Sequence, residues 1–147
     1  MFRHILIPTD GSAVAGKAVQ AGIRFAKEIG AKVTGYYAVE VIQPRVYGEG
    51  YMMGRTTVAV LEKRAKAVGR KHLAAMAELA QAAGVAFDSL CTKADTPYEG
   101  IVDAARRKRC DVIFMASHGR RGLAALFMGS VTQRVLTRSK IPVLVYR

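Results

Sequence analysis

The chain has 147 residues, of which 51% are hydrophobic and 23% charged, a balance typical of one globular domain with a full-sized core. Its apolar runs are too short to span a membrane, and its opening segment is too polar for a signal peptide. Cys91 and Cys110 lack metal-binding and redox spacing, so we expect reduced thiols in a cytoplasmic protein. No metal-ligand or catalytic cluster is predicted from the sequence.

The net charge is +12, from 23 basic and 11 acidic residues, and such a charge favours polyanionic partners. Many of the basic residues, however, lie within residues 63–71 and 106–109, on the outer side of one helical pattern and at the end of another. No aromatic residues interleave with them, as a site for single-stranded nucleic acid would require. The sequence therefore favours solvated helix faces over a nucleic-acid site.

Short apolar runs alternate with segments of helical periodicity along the chain. The runs predict strands at residues 5–8, 33–39, 85–91, 112–115 and 141–146. The first and fourth runs are continuously apolar, which is typical of parallel strands buried on both faces. This alternation predicts a single doubly wound α/β domain over residues 1–147. The last strand would form an open sheet edge, to which another chain could pair.

Between these runs, the helices are marked by periodicity and by caps. The second helix is predicted to bury a stripe made of Leu61, Ala65, Val68, His72, Ala75, Leu79 and Ala83. The third is predicted to begin with Thr96 as its N-cap and Pro97 in its first turn. His72 is expected to be partly buried, and His4 to lie near the surface. Residues 43–55 are rich in glycine and predict a long loop.

The first predicted strand ends in the turn Pro8-Thr9-Asp10-Gly11-Ser12, at the sheet edge where open α/β folds bind ligands. Asp10 suits two compatible roles: contact with a base, sugar or metal, and capping of the first helix together with Ser12. Residues 11–18 have the Gly-x4-Gly-Lys spacing of a P-loop, but Ala18 replaces the hydroxyl residue that holds magnesium. Because a helical pattern runs through Gly16 and Lys17, we do not interpret this segment as a P-loop.

Residues 116–132 connect the fourth strand to the last helix. Glycines at 119 and 129 allow close backbone approach, and a helix beginning near Ser130 has N–H groups without partners in the helix. Ser130 is expected to cap that helix or to bond a phosphate from the same place. The spacing of these residues is compatible with either of two structures, a phosphate cradle or a plain strand–turn–helix connection.

This segment, the start His-Ile-Leu-Ile-Pro-Thr-Asp-Gly-Ser and the end Ile-Pro-Val-Leu-Val-Tyr together resemble the universal stress protein family over essentially the whole chain. Nucleotide-binding members carry Gly-x2-Gly-x9-Gly-(Ser/Thr), which falls here on Ala116, Gly119, Gly129 and Ser130. Ala116 departs from the pattern by one methyl group. The resemblance implies a five-stranded parallel sheet in the order 3-2-1-4-5, and ATP, with or without Mg²⁺ or Mn²⁺, as ligand.

The resemblance also implies which residues hold the adenine nucleotide. The residues that would flank the adenine are Pro8, Thr9, Asp10, Ala38 and Val39. Those that would line the ribose and phosphates are Met115, Ala116, Gly119, Gly129, Ser130, Val131 and Thr132. We add Arg120, because its charge suits a triphosphate. Family members commonly dimerise through their last strands, which implies a homodimer here.

The predicted function is a nucleotide-dependent switch or binding module of the stress response. No residue is placed as a general base for an attacking water, which argues against an efficient enzyme and leaves slow ATP hydrolysis or autophosphorylation open. One alternative is a hydrolase that uses Ser130, His118 and Asp10, which are the residue types of a hydrolytic triad. The other is an interaction protein that works without a nucleotide.

Overall fold

A computed structural model of the chain describes residues 1–41, 46–47, 51–52, 54–118 and 128–147. Its elements are, in chain order, β1 (His4–Pro8), α1 (Ala13–Ile29), β2 (Lys32–Glu40), β3 (Val46–Tyr47), β4 (Tyr51–Met52), α2 (Arg55–Ala83), β5 (Phe87–Ala94), α3 (Pro97–Arg107), β6 (Val112–Ala116), α4 (Ser130–Arg138) and β7 (Val143–Tyr146). In the described ranges, no helix has both the length and the apolar character needed to cross a membrane.

Five of the strands form one parallel sheet in the order β5-β2-β1-β6-β7. Counting only these strands along the chain, the order is 3-2-1-4-5, so the implied doubly wound α/β fold is confirmed. Helices α1 and α2 cover one face of the sheet, and α3 and α4 cover the other. The winding reverses between β1 and β6, and this arrangement opens a crevice at the carboxyl ends of the two strands.

The central strands β1 and β6 are buried along their whole length. Successive side chains point to opposite faces. Ile5 and Ile7 therefore pack beneath α1 and α2, whereas Leu6 joins the core beneath α3 and α4. Helices on both faces explain why these two strands are continuously apolar in the sequence.

The predicted face of α2 is partly wrong. Val68 and Leu79 belong to the predicted stripe but are 45% and 41% exposed. The residues that α2 buries are Gly69, Leu73, Met76 and Ala80. A Cβ at Gly69 would lie 2.5 Å from the Tyr37 ring, so the helix approaches the sheet through its smallest residue. His72 is half-buried as predicted and stacks on Tyr37.

Two further expectations differ from the structure. Residues 43–55 were predicted as a loop. Within them, β3 and β4 pair as a short antiparallel hairpin, and α2 begins at Arg55. Residues 43–45, 48–50 and 53 lie outside the described residues. The third sheet strand was predicted at 85–91 but runs from Phe87 to Ala94.

His4 is buried, contrary to the expected surface position, because β1 is central in the sheet. Its Nε2 lies 2.8 Å from Thr34 Oγ1, and its backbone N–H donates to Asp111 Oδ1. Burial, assisted by the nearby charge of Lys32, lowers the pKa of His4, which favours the neutral ring at pH 7.

Candidate functional site

A cavity of about 670 Å³ lies at the carboxyl ends of β1, β2 and β6, and its size suits a small-molecule ligand. Of the site residues expected from the sequence, those that line it are Pro8, Thr9, Asp10, Ala38, Val39, Met115, Ala116, Gly129, Ser130, Val131 and Thr132. Gly119 and Arg120 lie outside the described residues. The fold thus brings together four separate stretches of the sequence, residues 8–10, 38–39, 115–116 and 129–132.

The turn after β1 is ordered by its own side chains. Asp10 Oδ1 accepts a hydrogen bond from the N–H of Ser12 at 2.9 Å, and the Thr9 hydroxyl accepts one from the N–H of Gly11 at 3.1 Å. Gly11 has φ +77°, in the left-handed region that favours glycine. Ser12 is the N-cap of α1 and accepts from the N–H of Ala15. Capping therefore falls to Ser12, while Asp10 orders the turn before it.

The junction between β6 and α4 depends on a close backbone approach at Gly129. Its N–H donates to the Ser117 carbonyl at 2.8 Å, and a Cβ there would lie 3.0 Å from His118 Cα. Gly129 is the N-cap of α4, and Ser130 is the first helical residue, which corrects the expected capping role of Ser130. The first turn of α4 holds no acidic residue, so its N–H groups offer a site for an anion.

Thr132 joins α4 to the end of β6. Its side chain is 2% exposed, and its hydroxyl donates to the Ala116 carbonyl at 3.0 Å. Ala116, the position that departs from the family's glycine, is buried and belongs to the core beneath α1 and α2. The additional methyl group therefore packs against this core, at a residue that also lines the cavity.

His118 lines the cavity, but its contacts do not favour a hydrolytic triad. Its Nδ1 lies 3.0 Å from Ser117 Oγ. In such a triad Nδ1 faces the acid while Nε2 faces the nucleophile. Ser117 therefore occupies the place that Asp10 would need.

One wall of the cavity was missed by sequence analysis. Thr96 and Tyr98 at the start of α3, Arg134 on α4 and Tyr36 on β2 all line it. Thr96 is the N-cap of α3 with Pro97 in the first turn, as predicted, but their place in the cavity was not predicted. These residues come from separate elements and share no local motif, so only the packing of α3 against α4 reveals them.

Tyr36 is the buried residue of that wall. Its hydroxyl lies 3.0 Å from Thr92 Oγ1, and burial raises its pKa. Gly100 on α3 leaves room for this hydroxyl, since a Cβ there would collide with it. The phenol is therefore a neutral hydrogen-bonding group at physiological pH.

A sequence model of the universal stress protein family matches residues 1–147. The chain belongs to the universal stress protein family. Universal stress protein MJ0531 of Methanocaldococcus jannaschii is 31% identical over the whole chain and 83% of that protein. The solved structure of MJ0577, from the same organism, superposes with a TM-score of 0.84 at 25% identity, covering 99% of this chain and 95% of that one.

Another solved universal stress protein, in complex with cAMP, superposes with a TM-score of 0.67 and 21% identity, covering 99% of this chain and 97% of that chain. At this identity the similarity establishes a shared fold. As for metals, the parts of the chain that the structure describes contain no group of three or more His, Cys, Asp or Glu side chains suited to a metal ion.

Proposed function

We propose that this universal stress protein binds ATP in the cavity, with or without Mg²⁺ or Mn²⁺, and acts as a nucleotide-dependent switch or binding module in the stress response. The observation that carries the proposal is the start of α4, which has no acidic residue in its first turn and lies at the cavity. Such a helix start attracts phosphate through its N–H groups and its dipole. The cAMP complex of a structural relative supports an adenine nucleotide as the ligand.

The part of the cavity at the ends of β1 and β2 suits the adenine base. Pro8, Ala38 and Val39 present apolar surface to the cavity, and Asp10 and Thr9 add hydrogen-bonding groups beside it. A flat aromatic base is favoured in such an environment, which combines apolar contact with a few polar groups. Gly119, Gly129, Ser130, Val131 and Thr132 remain the proposed cradle for the phosphates, together with Met115, Ala116 and Arg120.

A ligand that bridges these walls would connect the β1–α1 turn to the start of α4. Its binding would favour the conformation in which both segments contact the ligand, and this is the basis of the proposed switch. Binding rather than rapid turnover is supported by His118, whose Nδ1 faces Ser117. Slow hydrolysis or autophosphorylation is compatible with this arrangement.

We also propose a homodimer that forms through β7, and a cytoplasmic location. β7 is an outer strand of the sheet. The cytoplasmic location is supported by Cys91 and Cys110, which are both free thiols, as is usual in a reducing compartment.

Calorimetric titration of ATP into the purified protein tests the proposal, with a matched pair of glycine variants. Gly129 and Gly54 are both helix N-caps with extended backbone, at φ −60° and −63°, so the backbone tolerates alanine at either position. Only at Gly129 would the new Cβ meet neighbouring atoms. We expect Gly129→Ala to weaken ATP binding about tenfold, equivalent to ~1.4 kcal/mol, and Gly54→Ala to leave it unchanged.

Melting temperature provides a second measurement, because a ligand at 100 times its Kd adds about 2.7 kcal/mol to the free energy of unfolding. If millimolar ATP produces neither heat nor a rise in melting temperature, nucleotide binding is refuted and the interaction protein is favoured. If ATP binds equally well to both glycine variants, the ligand does not use the start of α4.

A further inference from the structure

In the part of the chain that the structure describes, the charged side chains that line the cavity are three carboxylates at the ends of sheet strands and one arginine on a helix. Asp10 lies just after β1, Glu40 is the last residue of β2 and Asp95 lies just after β5, and these strands are neighbours in the sheet. Arg134 lies on α4, which follows β6. Among the described lining residues, Arg134 is the only lysine or arginine. A chain of phosphates is therefore repelled by these carboxylates and attracted to Arg134.

Arg134 lies one helical turn after Ser130, on the same side of α4. Side chains in a helix lean toward its N-terminus, so a side chain at position 134 covers the turn that contains Ser130. Its position allows it to contact groups beyond the first phosphate that the helix start would hold.

Tyr98 holds this side chain in place. The Arg134 guanidinium carbon lies 5.4 Å from the centre of the Tyr98 ring, a cation–π distance. The nearby carboxylate of Glu99 is engaged elsewhere, accepting from the Thr96 hydroxyl at 2.7 Å and the Tyr98 hydroxyl at 3.3 Å. Within the described residues, no carboxylate forms an ion pair with Arg134. Its N–H donors are thus suited to a ligand anion.

We propose that Arg134, positioned by the Tyr98 ring, contacts the outer phosphates of the bound nucleotide, so that the site prefers ATP and ADP over AMP and cAMP. This inference rests on the proposed function and specifies the ligand class of the same cavity. Arginine suits the role because its planar guanidinium forms paired hydrogen bonds to phosphate oxygens.

The test is calorimetric titration of ATP, ADP and AMP into the full chain at fixed ionic strength. For Arg134→Gln we expect about a tenfold loss of ATP affinity and less than about a twofold loss for AMP, because only the longer phosphate chain loses a charged partner. Arg138→Gln is the matched control, since Arg138 is exposed on the same helix but does not line the cavity. It should leave both affinities as they are in the wild type.

Tyr98→Leu tests the positioning role. It should lower the preference for ATP over AMP by about threefold, as expected for a cation–π contact of about 0.5–1 kcal/mol. Tyr98→Phe keeps the ring and should rescue most of that preference. Equal losses of ATP and AMP in Arg134→Gln, or a wild type without preference, would overturn the inference while leaving nucleotide binding intact. A wild type that binds none of the three nucleotides would overturn the proposed function and this inference together.

Discussion

Cys110 is a buried ionisable group in the loop between α3 and β6. It is 5% exposed, and its N–H donates to the Ala105 carbonyl. Burial raises the pKa of its thiol from the ordinary 9.0 to about 11, with a further contribution from Asp111; Lys32, Thr34 and Lys108 oppose the shift. The folded protein therefore retains this proton at pH values where the unfolded chain loses it.

This difference predicts how stability depends on pH. The contribution of Cys110 is constant below pH 9 and decreases between pH 9 and 11, because the unfolded state then binds fewer protons than the folded state. By pH 10 the loss in the free energy of unfolding should be about 1 kcal/mol. Urea unfolding of the wild type and Cys110→Ala, under reducing conditions from pH 8 to 10, measures it. Parallel pH profiles for the two proteins would show that the thiol does not contribute.

Among the elements, α4 has the most direct connection between packing and the proposed site, through the bond from Thr132 to the Ala116 carbonyl. Thr132→Val keeps the shape of the side chain but removes the hydroxyl, leaving a buried polar group without its partner. We expect a loss of about 1–2 kcal/mol in the free energy of unfolding, together with weaker ATP binding. Thermal and urea unfolding, followed by ATP titration, would measure the two effects.

Thr137→Val is the control for that variant. Thr137 lies on the same helix, but its exposed hydroxyl bonds to the carbonyls of Gln133 and Arg134 within the helix. Its loss should change stability by less than about 0.5 kcal/mol. Similar losses in the two variants would mean that the bond to β6 is not what holds α4 in place.

The elements also show what the sequence could predict. β1 and β6 were recognised because helices on both faces make them apolar throughout. The start of α3 was recognised from Thr96, and that of α1 from Asp10 and Ser12, of which only Ser12 is the N-cap. The face of α2 was mistaken because Gly69 lies against Tyr37 of the sheet, and a hydrophobic pattern does not register a residue without a side chain.

Only part of the cavity could be predicted from the sequence, because only part of it carries local motifs. The β1 turn and the β6–α4 junction carry local motifs, and the rule for open sheets places both at one edge. Tyr98 and Arg134, by contrast, meet only because α3 packs against α4. The sequence contains no spacing that relates them, so this wall follows from tertiary packing alone.

At the scale of the whole molecule, the sheet has two outer strands, β5 and β7. Among the described residues, β7 pairs only with β6, so its other side presents unpaired backbone groups, and Leu144 on the same strand is exposed. Two chains of net charge +12 repel each other, and a dimer through this edge must overcome that repulsion. Salt screens such charges, so the dimer should be more stable at higher ionic strength.

The proposed dimer predicts that Leu144→Lys produces a folded monomer. A lysine on an outer strand opposes edge-to-edge pairing through its charge, and Leu144 is 36% exposed, so the fold should tolerate it. Sedimentation velocity at several protein concentrations and two salt concentrations would follow the dimer. Val60→Lys is the control, because Val60 is 45% exposed on α2, an element that packs beside β2 and β5 rather than β7. A wild type that sediments as a monomer at high salt, or a Leu144→Lys variant that remains dimeric, would exclude pairing through β7.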